Sequence, residues 1–95
     1  MHDCPVATGD QWLSTWVPKI LDSAAYRSGT TALVIVWDEP TQLANVVVAP
    51  SVRPGTVSGT AVSHYSLLRA TEEMLGLPLL GQASSAADLR TALGL

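Results

Sequence analysis

A chain of 95 residues, 47% hydrophobic and 14% charged, describes one small globular domain or a piece of a larger one, not a disordered segment. A net charge of −3 and five scattered basic residues (Lys19, Arg27, Arg53, Arg69, Arg90) argue against nucleic acid or an anionic membrane as partner. Cys4 is the sole cysteine, so an internal disulfide is excluded, and no apolar run is long enough to cross a bilayer.

Residues 1–9 read as a polar loop with Asp3 and Pro5 and no apolar core, so no signal peptide is expected. From Asp10, a plausible N-cap, apolar residues recur at Trp12, Leu13, Trp16, Val17, Ile20, Leu21 and Ala24, the spacing of one helix face. Pro18 predicts a kink near Trp16 or a helix in two pieces, and Ser28-Gly29 stops it. A strand is predicted over Ala32–Trp37, where the run Leu33-Val34-Ile35-Val36-Trp37 suits burial on both faces, as in a parallel sheet between helices. Val46–Ala49 predicts a second buried strand, with Pro50, Pro54 and Gly55 ending it. Residues 56–62 are either an extended loop or a short edge strand. Ser63 opens a helix that Gly76 and Pro78 close, and Ser84 or Ser85 caps a last short helix. Glu72 and Glu73 sit late in the longer helix, against its dipole, which points to a partner for one of them. An ion pair of Glu72 with Arg69 is the expectation.

The first strand ends abruptly in Asp38 and Glu39. Carboxylates at the carboxyl end of a buried strand suit a divalent metal or acid–base work, because ligands gather there in α/β sheets. The alternative is a polar strand end before a Pro40 turn. Trp12, Trp16 and Trp37 are most simply core or interface anchors. A low charged fraction and two buried-type strands, too few for a sheet of their own, together read as an edge of a larger α/β sheet.

Five phrases, in order and spanning nearly the whole chain, carry a resemblance. They are Met1-His2-Asp3-Cys4, Gly9-Asp10-Gln11-Trp12-Leu13, Ser28 through Glu39, Ala49-Pro50-Ser51-Val52-Arg53-Pro54-Gly55-Thr56, and His64-Tyr65-Ser66-Leu67-Leu68-Arg69 running on through Glu72 to Leu77. Together they resemble the carboxyl-terminal part of the phosphoesterase family, which includes bacterial phospholipases C and acid phosphatases and belongs to the alkaline-phosphatase-like superfamily. The resemblance implies an α/β fold: a fragment of an alkaline-phosphatase-like sheet, two to three strands with three helices, residues 1–95 forming one partial domain.

It also implies hydrolysis of phosphate mono- or diesters, with metal neutralising the phosphoryl oxygens and lowering the nucleophile's pKa. Carried over by position, His2 and Asp3 lie at the mouth of the site, His2 as a phosphate contact or metal ligand. Asp38 and Glu39 are the acidic pair, Asp38 the better ligand, and His64 orients a carboxylate or lines the pocket. Longer relatives place a further histidine between the acidic pair and the next strand; the interval here is Pro40-Thr41-Gln42-Leu43-Ala44-Asn45, without one. The family's acidic-Asn motif and nucleophile would lie upstream of Met1.

The expectation is therefore a phosphoric-ester hydrolase by ancestry, weak or inactive as this chain. It would bind a divalent metal of unspecified identity and no organic cofactor. Its partners would be a phosphate-ester substrate and either further copies of itself or an amino-terminal domain, with no nucleic acid and no membrane insertion. Longer relatives are often secreted. The rival expectation is a non-catalytic remnant that oligomerises or binds a partner chain; a start codon further upstream is a third.

Overall fold

The computed structural model describes residues 3–38 and 45–95. Its elements are helix α1 (Val6–Leu21), helix α2 (Ala24–Arg27), strands β1 (Leu33–Ile35) and β2 (Val46–Val48), helix α3 (His64–Met74), a 3-10 turn (Gly81–Ser85) and helix α4 (Leu89–Leu93). The chain is a small mixed α/β unit, as its sequence leads one to expect.

Helix α1 begins four residues before Asp10. Pro5 takes the N-cap position with φ −58°, and Thr8 N–H donates to its carbonyl at 2.9 Å. The proline ring presets the first turn and so outweighs a hydroxyl or carboxylate cap. Pro18 lies within α1, which runs on through it to Leu21. The helical stretch is divided at Ser23 instead, where the hydroxyl accepts from Tyr26 N–H and starts α2.

The two strands pair antiparallel, in the register Leu33 with Val48, Val34 with Val47 and Ile35 with Val46. This corrects the parallel arrangement expected for β1. Only residues 36–45 separate the strands, and a parallel pair needs a crossover of about a dozen residues or more. Neither strand is buried on both faces: Leu33, Val34 and Ile35 are half-buried and Val46 is exposed. Residues 56–62 form no strand and take the extended-loop alternative.

The core lies elsewhere. Ala49, Ala70, Ala83 and Leu89 are its buried apolar residues, joined by Ser66 and Glu72. All but Ala49, which follows β2, lie on α3, the 3-10 turn or α4, where these three pack together. A start on Ser63 suits α3: its N–H donates to Ser66 Oγ at 3.1 Å, so a buried serine plays the part of the usual Glu or Gln of a capping box. Gly76, at φ +67°, ends α3 in a Schellman arrangement, with Leu77 N–H on the Glu72 carbonyl at 2.8 Å and Gly76 N–H on that of Glu73 at 3.2 Å.

Two expectations near the carboxyl end change. Asp88, not Ser84 or Ser85, caps α4, taking Arg90 N–H at 2.9 Å and Thr91 N–H at 3.2 Å on Oδ1. Arg69 pairs with Glu73 rather than Glu72, Nε to Oε1 at 2.8 Å. At i,i+4 the longer step faces Arg69, whereas Glu72 turns inward and is 3% exposed.

Candidate functional site

The carboxyl end of β1 and the start of α3 meet. His64 Nε2 lies 2.9 Å from the Trp37 carbonyl, across 27 residues of sequence. A carbonyl only accepts, so Nε2 carries the proton and Nδ1 is left to accept in the neutral ring. Asp38 follows Trp37 directly and is exposed. The backbone carrying one singled-out carboxylate is thus held by the imidazole singled out 26 positions later.

Beside this contact is an open groove of about 690 Å³. Val36, Trp37 and Val46 give it an apolar wall, while Ser58, Thr60 and His64 supply polar groups. A concave apolar surface with a few converging polar groups is the usual form of a small-ligand site.

The other expected residues divide. Asp3 is exposed, and among the described residues no hydrogen bond or ion pair joins it to Asp38 or His64. His2 and Glu39 lie outside the described residues. No group of three His, Cys, Asp or Glu side chains able to hold a metal occurs among the described residues. Asp38 offers one carboxylate without a hydrogen-bond or ion-pair partner there. A protein-bound divalent cation usually draws more than one ligand from the chain. The described donor set does not make a metal site, and no chemical step can be routed through one.

Sequence reasoning pointed to an ion pair of Arg69 on α3 but not to the wider polar network around it. Arg69 donates from Nη1 to the Ala86 carbonyl at 2.7 Å as well as to Glu73, and stands 4.0 Å from Asp88. The hydrogen bond that Arg69 donates to Glu73 raises the Arg69 pKa most, burial opposes it next, and the charges of Glu73 and Asp88 add to the rise. Asp88 is lowered, first by the Thr91 hydroxyl at 2.7 Å and then by the Thr91 N–H. Glu72 Oε2 accepts from Leu80 N–H at 3.3 Å, while its buried Oε1 has no partner. These groups bind α3 to the segment after it and lie outside the groove.

No family model matches the chain, and no solved structure matches it significantly. Two curated proteins are similar to it. One, named phosphatidylinositol-3-phosphatase, from Mycobacterium tuberculosis, is 36% identical over 91 residues, covering 90% of this chain and 29% of its own length. The other, named acid phosphatase, from Aspergillus fumigatus, is 24% identical over 96 residues, covering 93% of this chain and 22% of its own length. The chain therefore spans less than a third of either relative. Likeness to phosphatase-named proteins agrees with a phosphoesterase-type hydrolase by ancestry.

Proposed function

We propose that residues 1–95 are a partial domain, the carboxyl-terminal portion of a metal-dependent phosphoric-ester hydrolase of the alkaline-phosphatase-like kind. The observation that carries this reading is the His64 contact with the Trp37 carbonyl, which brings the late-helix histidine to the strand end bearing Asp38. Both curated relatives bear phosphatase names, which supports the same class of chemistry. In this reading Asp38 and Glu39 contribute metal ligands, His2 and Asp3 border the phosphate, and His64 fixes the backbone beside Asp38. The nucleophile and the remaining ligands come from polypeptide outside the matched segment. The chain by itself turns over phosphate esters weakly or not at all.

The test is a titration of the chain with Mn²⁺ followed by NMR, since paramagnetic broadening reports even weak binding residue by residue. The expected broadening centres on Trp37, Asp38 and His64 and disappears in Asp38→Ala. Broadening centred on Glu73 and Asp88 instead, or unchanged by the substitution, would overturn the assignment.

A further inference from the structure

Trp37 stands apart from the other two tryptophans. Trp12 and Trp16 tilt together at 6.2 Å between ring centroids, and Lys19 Nζ lies 4.4 Å over the Trp16 ring. Among the described residues Trp37 has no ring or cation contact, and its indole N–H has no hydrogen-bond partner. It is half-buried and lines the open groove of about 690 Å³. A tryptophan that serves only the core is enclosed, and its N–H finds an acceptor. Trp37 has neither property, and Asp38, the proposed metal ligand, follows it directly.

The residue is also held in place. His64 Nε2 donates to the Trp37 carbonyl at 2.9 Å, which fixes the main chain that carries the indole. A platform fixed before binding loses less freedom when a ligand arrives. Val36 and Val46 continue the apolar wall, and Ser58 and Thr60 bring hydroxyls to the same groove. Ser58 Oγ accepts from the Thr60 N–H at 3.2 Å, which leaves its own proton, and the whole Thr60 hydroxyl, for a ligand.

A flat indole receives the C–H face of a ring, and hydroxyls at its margin suit the hydroxyls of that ring. A flexible alkyl chain would cover the same face at a greater loss of freedom and would leave those polar groups unused. We propose that Trp37 is a specificity-determining residue. Its indole is the platform for an alcohol half of the phosphate ester that is a hydroxylated ring, with Ser58 and Thr60 bonding the ring's hydroxyls. The inference rests on the hydrolase reading for the phosphate that the ring carries.

The test is a titration of the chain followed through its three indole N–H signals by NMR, each assigned from its sequential neighbours. Glucosyl phosphate, whose ring carries the phosphate directly, is compared with methyl phosphate, which has the charge without the ring. The Trp37 signal should move saturably with glucosyl phosphate, at a concentration at least about tenfold below that needed for methyl phosphate. The Trp12 and Trp16 signals should stay in place. In Trp37→Ala the shifts of the Ser58 and Thr60 amides should need at least about tenfold more glucosyl phosphate. Trp37→Phe, which keeps a ring face, should recover part of that loss. Equal response to the two phosphates, equal movement of all three indoles, or no movement of Trp37 would overturn the inference. Those readings come from the parent chain and stand even where a Trp37 variant fails to fold. A Trp37 response to glucosyl phosphate without Mn²⁺ broadening around Asp38 would overturn the hydrolase reading and leave the ring platform standing. Broadening around Asp38 with no Trp37 response would overturn the platform alone.

Discussion

At the scale of single residues, His64 was legible as a residue of interest, but its partner was not. The acceptor is a main-chain carbonyl, and no side-chain pattern announces one. The contact makes a specific demand: a donor at the Nε2 position. His64→Ala should speed hydrogen exchange of the amides around Trp37 and Asp38, because the tether of the strand end is lost. His64→Gln, which can place an amide N–H near the same point, should restore slow exchange. Equal exchange in all three proteins would mean the contact holds nothing in place. Asp88 offers a second residue-scale prediction. Its folded pKa lies below its ordinary 3.8, through the Thr91 hydroxyl first, so the ionised form is favoured by folding. Its contribution is present above that ordinary value and is lost as pH falls through the lowered one. Urea unfolding from pH 6 to pH 2 should therefore show an acid loss of stability that is smaller in Asp88→Asn. The run Ser84-Ser85-Ala86-Ala87-Asp88 contains three cap candidates, which is why sequence alone chose the wrong one. The choice was settled by the 3-10 turn over Gly81–Ser85, which takes the serines before α4 begins.

Among the elements, the end of α3 was readable because glycine at a positive φ followed by proline leaves few alternatives. Gly76 has φ +67°, and a Cβ there would meet no atom within 4 Å, so the cost of a side chain is conformational and not steric. Gly76→Ala should destabilise the chain by about 1 kcal/mol, measured by equilibrium unfolding. No loss at all would mean that the Schellman turn is not held in solution. Arg69 links α3 to the turn before α4 through Glu73 and the Ala86 carbonyl. Arg69→Ala should lower the unfolding midpoint more than Arg27→Ala does. The Arg27–Asp22 pair, although 2.9 Å long, is exposed on both sides and contributes little. Strand pairing was the least legible feature: a run of Val and Ile gives burial but not direction. Direction followed from the spacing between β1 and β2, which is short enough for a return and too short for a crossover.

Across the whole molecule, composition already pointed to incomplete covering, since a 14% charged fraction leaves much apolar surface to be placed somewhere. The structure locates it. Among the described residues, Ala49, Ala70, Ala83 and Leu89 make the apolar core, while α1, the longest element, has half-buried but no fully buried side chains. The low charge thus goes with exposed apolar side chains such as Trp12 and Val57 and not with a large interior. The candidate site follows the same logic: Asp38 and His64 are brought to one place, and the donors that would complete a metal centre are not among the described residues. Both curated relatives are several times longer than the matched segment, in keeping with the proposal that further ligands come from polypeptide outside it.

The most direct measurement is hydrolysis of p-nitrophenyl phosphate, with added Mn²⁺, by a chimaera in which this chain replaces the matched 91 residues of the M. tuberculosis relative. The account predicts turnover by the chimaera, little or none by the chain alone, and a fall of about a hundredfold in Asp38→Ala. Equal turnover with and without the Asp38 carboxylate, or none by a folded chimaera, would contradict it.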